Sequence, residues 1–293
     1  MNKHAYLIIA HNNFYILEKL INLIDDSRND IFIHIDKKVK NFKFEYFKSL
    51  PKFSNIYFID RINVGWGAFS MIRTELNLFK YSFKNKYKYY HLISGVDLPI
   101  KSQDYIHSFF NDHDGTEFLT FLKPEFTKSQ KIIDRLDKYY LLQQFGRNNI
   151  IITKLNNLLI NIQKILNIKR YNNELTIQYG SNWASLTHDA VAYILENEEW
   201  IYTTFKYTSC CDEVYKQTLL VNNKKFRERL YLREYNKQHI SYNMRHIDWK
   251  RGWPYIFRST DYEELMSSYS LFARKFDELV DKNIVDNIYI NLK

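Results

Sequence analysis

Two thiols and two carboxylates stand side by side in "SCCDEVYKQTLL", residues 209–220. Adjacent thiols could hold a metal or cycle through a disulfide, and a carboxylate at a helix start could take a proton. The thiols lack what such work needs. Cys210 and Cys211 are the only cysteines in the chain, and a bond between direct neighbours is strained. His91, His107 and His246 have no partners at ligand spacing and read as structural. The carboxylates keep two readings. Asp212 and Glu213 either cap the helix that "VYKQTLL" begins and complement its dipole, or one of them meets a substrate.

A site of this kind must be positioned by regular elements. "AYLIIA" is a compact apolar run ending in "HNN", which reads as a buried strand and a loop, followed by a helix over "FYILEKLINLI". "DIFIHID", "NIYFI", "YKYYHLIS" and "EFLTFL" read as further strands, and "FSMIRTELNLFKYSF" and "DYIHSFF" as helices. The alternation predicts an α/β domain with a central, mostly parallel sheet flanked by helices. Ligands of such sheets bind beyond the carboxyl ends of the strands, which singles out His11, Asn12, Asp36 and Asp97. From 126 to about 172 the chain is long, polar and helical, an excursion over the cleft. "YGSNWASLTHDAVAYILENEEW" reads as strand, cap and helix, with Thr187 or His188 opening the helix. The remainder reads as short strands ("HISYNMRHIDW", "WPYIF") and helix through "DYEELMSSYSLFARKF".

Composition narrows the class. Hydrophobic residues make up 45% of 293, enough for a sizeable core. The net charge of +9 favours anionic partners such as nucleotide phosphates or acidic lipid. The basic residues are dispersed and no run resembles a nucleic-acid-binding arm. The cysteine count excludes a disulfide framework and fits a reducing compartment. The apolar run in "MNKHAYLIIAHNN" is too short for a signal peptide or a membrane span. The expectation is therefore a cytoplasmic protein, with peripheral contact at the inner face of an anionic membrane open to it.

Several segments, in order, resemble a known family. "YLIIAHNN…IFIHIDKK", "RINVGWGAFSMIRTELNLF", "YYHLISGVDLPIKS" and "YGSNWASLT", followed by "CCDE" and "LFARKFD", are similar to the core-2/I-branching enzymes and the peptide O-xylosyltransferases, glycosyltransferase family 14. The likeness runs from about Ala5 to Asp277. "GSNW" and "FARKF" lean toward the xylosyltransferase branch, while "SGVDLPIK" suits both.

The resemblance implies a GT-A-type, Rossmann-like nucleotide-sugar glycosyltransferase fold in one domain, 1–293. Residues to about 125 would form the nucleotide-binding half and the rest the acceptor and catalytic half. It implies an inverting transfer of GlcNAc or xylose from a UDP-sugar to an acceptor hydroxyl. Inversion needs one base opposite the leaving diphosphate, and the resemblance carries this role to Glu213. Arg274 and Lys275 fall on the residues that neutralise the diphosphate, with Arg251 in "KRGWPYIF" a further candidate. For the nucleotide it carries over Ala10 and His11, Asp36 with Lys37 and Lys38, and Val64, Gly65 and Trp66. On the acceptor side it carries over Arg135, and Asn182 with Trp183, where asparagine replaces the family's aspartate. Asp97 and Asp212 complete the substrate-facing set. Their bland alternatives are a bond to the turn before Pro99 and a helix cap.

No bound metal is expected. One Asp-x-Asp match exists, Asp112-His113-Asp114 in "NDHDG", but it reads as a turn with Gly115. The core-2 branch lacks a paired motif, so Arg and Lys would carry the charge. The acceptor would be a glycan, a lipid-linked saccharide or a protein. The setting would be bacterial surface-glycan synthesis. Rival readings are a metal-dependent nucleotidyltransferase and a non-catalytic sugar-nucleotide-binding module.

Overall fold

The first apolar run forms strand β1 (His4–Ala10), buried along its length except for Ile9. Burial on both faces and both edges suits the centre of a parallel sheet. β1 lies between β2 (Asn29–Ile35) and β4 (Tyr89–Ser94), parallel to each. β3 (Asn55–Phe58) extends the sheet parallel to β2. A short β5 (Leu98–Pro99) leaves the sheet after β4, and β6 (Ala184–Thr187) returns antiparallel to β4. The order is β3-β2-β1-β4-β6. These features come from a computed structural model that describes residues 3–127, 130–145, 149–170, 175–233 and 240–293.

Helices Phe14–Leu23 and Lys282–Leu292 pack one face of the sheet, and helices Ser70–Phe83 and His188–Glu196 the other. Each face has its own core. One joins Tyr6 and Ile8 to Phe272 and Ile288; the other joins Leu7 and Leu92 to Leu186 and Tyr215. Both cores draw on residues from either side of position 125, so the two halves share their interior. Thr187 caps the 188–196 helix by accepting from the Ala190 N–H.

Three expectations fail locally. "EFLTFL" forms only isolated bridges, at Glu117, Phe118 and Leu122. Its backbone groups bond in turn to Arg229, Ser185, Tyr179 and Ile240, so no single neighbour offers a continuous ladder. "WPYIF" forms no strand: Pro254 has no N–H to give, and Tyr255 and Phe257 bond to separate segments, at Asp248 and Lys275. The helix expected through "FARKF" stops at Ser267. Phe272–Arg274 is instead strand β8, between β5 and β7 (Arg245–Ile247) in a second sheet of order β5-β8-β7. Leu271, Phe272 and Ala273 are all buried; three consecutive buried residues suit a strand covered on both faces.

Candidate active site

The carboxyl ends of β1, β2 and β4 meet in one place. Gly95, after β4, lies against Ala10, where a Cβ would stand 2.7 Å from the alanine Cβ. Only glycine allows the two strand ends to approach so closely. Asp36, after β2, donates its N–H to the Ala10 carbonyl and accepts from the Lys38 N–H through its carboxylate. The Lys38 ammonium donates to the Val64 carbonyl at 2.6 Å and lies 3.6 Å from Asp36 Oδ2. This ties the second strand end to the 63–68 loop. Gly65 is buried, while Trp66 is half-exposed rather than part of the core. His11 is exposed, and Lys37 projects at the rim. Desolvation by neighbouring protein lowers the His11 imidazole; Asp36 opposes this and Lys275, Arg274 and Lys38 reinforce it. The field at His11 therefore registers the predicted anion-binding groups together.

The second sheet delivers Arg274. β8 pairs with β5, and Phe276 donates to the Val96 carbonyl. This fixes the end of β8 beside the turn after β4. Asp97, fully buried, accepts from Ser94 N–H at 2.9 Å and from Arg274 Nη1 at 2.7 Å. It holds the turn before Pro99, as the bland reading has it, and it also aims the guanidinium. Arg274 Cζ lies 4.7 Å from the centre of the Trp183 ring, within cation–π range. Among the described residues no other side chain bonds the guanidinium, whose remaining N–H groups suit an anion's oxygens.

Glu213 closes a 3-10 turn, Cys211–Glu213. Its carboxylate accepts from the Tyr179 hydroxyl at 2.5 Å and from Arg135 Nη1 at 3.2 Å, and a third of the side chain stays open to solvent. Its backbone carbonyl accepts from Gly180 N–H. Gly180 is pressed so hard against Thr120 that a Cβ would stand 1.7 Å from the Thr120 carbonyl oxygen. Ahead of the turn, Cys210 takes a left-handed conformation and donates its N–H to the Gly67 carbonyl at 2.7 Å. Gly67 itself has a φ of +67°, which favours glycine. The 63–68 loop thus meets the turn that bears Glu213. Residues 179–183 bridge the site, since Tyr179 bonds Glu213 and Trp183 stacks on Arg274. Four residue steps span at most about 14 Å.

Beneath this surface is a buried polar cluster that sequence reasoning missed. Lys216 and Glu75 form an ion pair with both side chains fully buried. Glu75 also accepts from the Tyr215 hydroxyl at 2.6 Å, and Lys216 donates to Asn182 Oδ1 at 2.8 Å. Asn182 therefore faces the interior, with its Nδ2 buried and without a hydrogen bond of good geometry among the described residues, and Lys216 takes the side-chain oxygen expected to meet an acceptor. Asp212 is corrected too. It caps nothing: Val214 occupies the cap position of helix Tyr215–Val221, without a side-chain bond. Asp212 is buried, its Oδ1 has no partner among the described residues, and burial pushes its carboxyl up to about 8, with Glu213 and Glu75 adding to the rise. The one available signal was spacing: Lys216 follows Asp212 by four residues, a helical contact distance. Nothing marked Tyr179 or Glu75.

Other candidates already have partners of their own. Arg251 is held by three carboxylates, Asp248, Asp261 and Glu264, so its charge is already compensated. Asp112 and Asp114 flank a turn at the opposite end of the sheet. There Asp114 pairs with Lys88, just before β4, and Tyr89 donates to the His113 carbonyl. No group of three His, Cys, Asp or Glu side chains is placed to share a metal among the described residues. Burial raises both thiols, Cys210 to about 11, so neither is a ready thiolate. His91 bonds Ser185 and His4, His107 bonds Asn29, and His246 bonds Glu264. A cavity of about 540 Å³ opens beside the 63–68 loop, lined by Lys37, Asn63, Arg73, Tyr140 and Lys206 among others. Neither Glu213 nor Arg274 lines it.

Comparison with known proteins bears on the family of the chain. A human beta-1,3-galactosyl-O-glycosyl-glycoprotein beta-1,6-N-acetylglucosaminyltransferase is 28% identical over 102 residues, 33% of this chain and 24% of the relative. Xylosyltransferase sqv-6 of Caenorhabditis briggsae is 23% identical over 282 residues, 87% of this chain and 32% of the relative. The chain thus spans a third or less of these relatives' length. The apo crystal structure of mouse xyloside xylosyltransferase 1 matches over 92% of this chain and 96% of its own, with a TM-score of 0.39 and 8% identity, a likeness too weak to argue from. The model of the core-2/I-branching enzymes matches residues 4–265. The chain belongs to the core-2/I-branching enzyme family, a family of glycosyltransferases.

Proposed function

We propose that the protein is an inverting glycosyltransferase that moves GlcNAc or xylose from a UDP-sugar to an acceptor hydroxyl. Glu213 takes the hydroxyl proton as the anomeric carbon bond to the diphosphate breaks. Arg274 and Lys275 compensate the charge that grows on the departing UDP. His11, Asp36 and the 64–66 loop take the nucleoside, and Trp183 lies between donor and acceptor. One observation carries the reading: a part-exposed carboxylate, oriented by Tyr179 and Arg135, is joined by residues 179–183 to an arginine aimed by a buried aspartate. With Arg and Lys supplying positive charge, turnover needs no divalent ion. The acceptor is a glycan, a lipid-linked saccharide or a protein. The setting we favour is cytoplasmic, in the synthesis of a bacterial surface glycan.

The test is Glu213→Gln in a screen of UDP-sugars with and without a chelator. The variant keeps UDP binding and loses about 100- to 10,000-fold in transfer, the usual contribution of a positioned base. Full activity in the variant would dismiss Glu213 as the base. Turnover abolished by chelation would favour the metal-dependent alternative. UDP binding without turnover of any donor would favour a binding module.

A further inference from the structure

Helix Ile150–Ile165 is apolar on two sides. One side packs on the protein through Ile160 and Gln163. On the other, Ile151, Leu155, Leu158, Ile162 and Ile165 recur at steps of four, three, four and three residues, which places them in one stripe. The described residues leave that stripe largely uncovered. The five side chains are 77, 46, 55, 43 and 83% exposed. Leu141 and Phe145, on the segment leading to the helix, are also exposed. A continuous apolar stripe of this length marks a surface meant to be covered.

Charge indicates what covers it. From Asn149 to Arg170 the sequence has no Asp or Glu and four bases, Lys154, Lys164, Lys169 and Arg170. Lys164 pairs with Asp134 and Arg170 bonds inward to Leu136 and Thr208, while Lys154 and Lys169 are exposed. The segment before the helix lines the nearby cavity through Tyr140, Leu141, Gln143 and Gln144. That cavity also holds Lys37, Arg73 and Lys206 and has no acidic lining residue. A second copy of this chain, also at +9, would bring like charges against like. An apolar stripe on a helix without acids of its own, with Lys154 and Lys169 exposed near it and the neighbouring Asp134 neutralised by Lys164, fits the headgroup boundary of an anionic bilayer.

We propose that helix Ile150–Ile165 docks the enzyme on an anionic lipid surface, stripe inward. The inference is independent of the transferase reading, because vesicle binding needs no turnover. The test is co-sedimentation of the full chain with phosphatidylcholine vesicles and with vesicles of phosphatidylcholine and phosphatidylglycerol. Hydrogen exchange is followed on the unmodified protein. Binding is expected to the anionic vesicles, to weaken with salt, and to protect residues 150–166. Leu158→Glu with Ile162→Glu is expected to cut binding more than about tenfold, from the apolar area lost. It leaves any turnover of a soluble acceptor unchanged. The milder Leu155→Gln guards against a folding defect. The proposal is overturned if the protein ignores anionic vesicles, if protection appears elsewhere, if the variants bind equally well, or if the helix is protected without vesicles by a dimer that the variants dissolve.

Discussion

Lys216→Met probes what holds the Glu213 turn in place. Lys216 Nζ reaches Glu75, Asn182 and, at 3.4 Å, the Asp212 carbonyl next to the proposed base. Its partner Glu75 is wholly buried. Removing one member of a buried pair costs about 3–5 kcal/mol, because the other charge is left in a low dielectric. At about 2 °C per kcal/mol for a chain of this size, the melting temperature falls roughly 6–10 °C. Burial raises the Glu75 carboxyl and Lys216 opposes that rise. Without Lys216 the rise loses its largest opposing group, leaving chiefly the Tyr215 hydroxyl against it, so stability is retained at low pH, where Glu75 is protonated, and lost as pH rises. The deficit should therefore narrow on acidification. Adding Glu75→Gln, which still accepts from Tyr215, should restore at least half the loss. Melting followed by circular dichroism at several pH values measures all three. A single variant within about 1 kcal/mol of wild type, well below the roughly 3–5 kcal/mol expected when a buried pair is broken, would refute the reasoning. So would a double variant no better than the single, or a deficit that ignores pH.

Three further outcomes follow from the same geometry. Arg274→Ala should weaken UDP binding about ten- to a hundredfold, the worth of a charge-assisted bond, whereas Arg251→Ala should leave UDP affinity unchanged and lower the melting temperature; calorimetric titration separates them, and equal losses would unseat Arg274. Gly180→Ala should destabilise by about 1–3 kcal/mol or more, as overpacking does, and reduce transfer, since the Cβ would displace the segment that holds Glu213; an unchanged melt would count against that packing. Asp212, raised to about 8 by burial, ionises near pH 4 once unfolded (about 3.9). Its contribution is present below about pH 4 and lost as pH rises toward about 8. Asp212→Asn should flatten stability against pH across that window, and parallel slopes for the two proteins would contradict it.

Much of the frame was legible. Apolar runs bounded by polar loops placed β1, β2 and β4, because strands buried on both faces need unbroken hydrophobicity. Their ends pointed to His11, Asp36 and Asp97. Thr187 was readable as a cap because capping is local. "FARKF" was misread as helix because its fate as β8 depends on partners at Leu98 and His246, far away in sequence. Asp212 could not be told from a cap for a related reason. Next to Glu213 the two carboxylates look alike, and only the fold buries one over Glu75 and leaves the other a third open.

The amino-acid sequence by itself determined the α/β frame, the strand ends where a site is to be sought and the kinship carried by ordered motifs, since periodicity, capping and motif order are properties of neighbouring residues. Only the tertiary structure decided that Asp97 aims Arg274, that Tyr179 and Arg135 hold Glu213, that Asn182 turns inward to Lys216 and that Arg251 is already neutralised. Each of these is a contact between side chains many positions apart, and its strength depends on burial and distance, which exist only once the chain has folded.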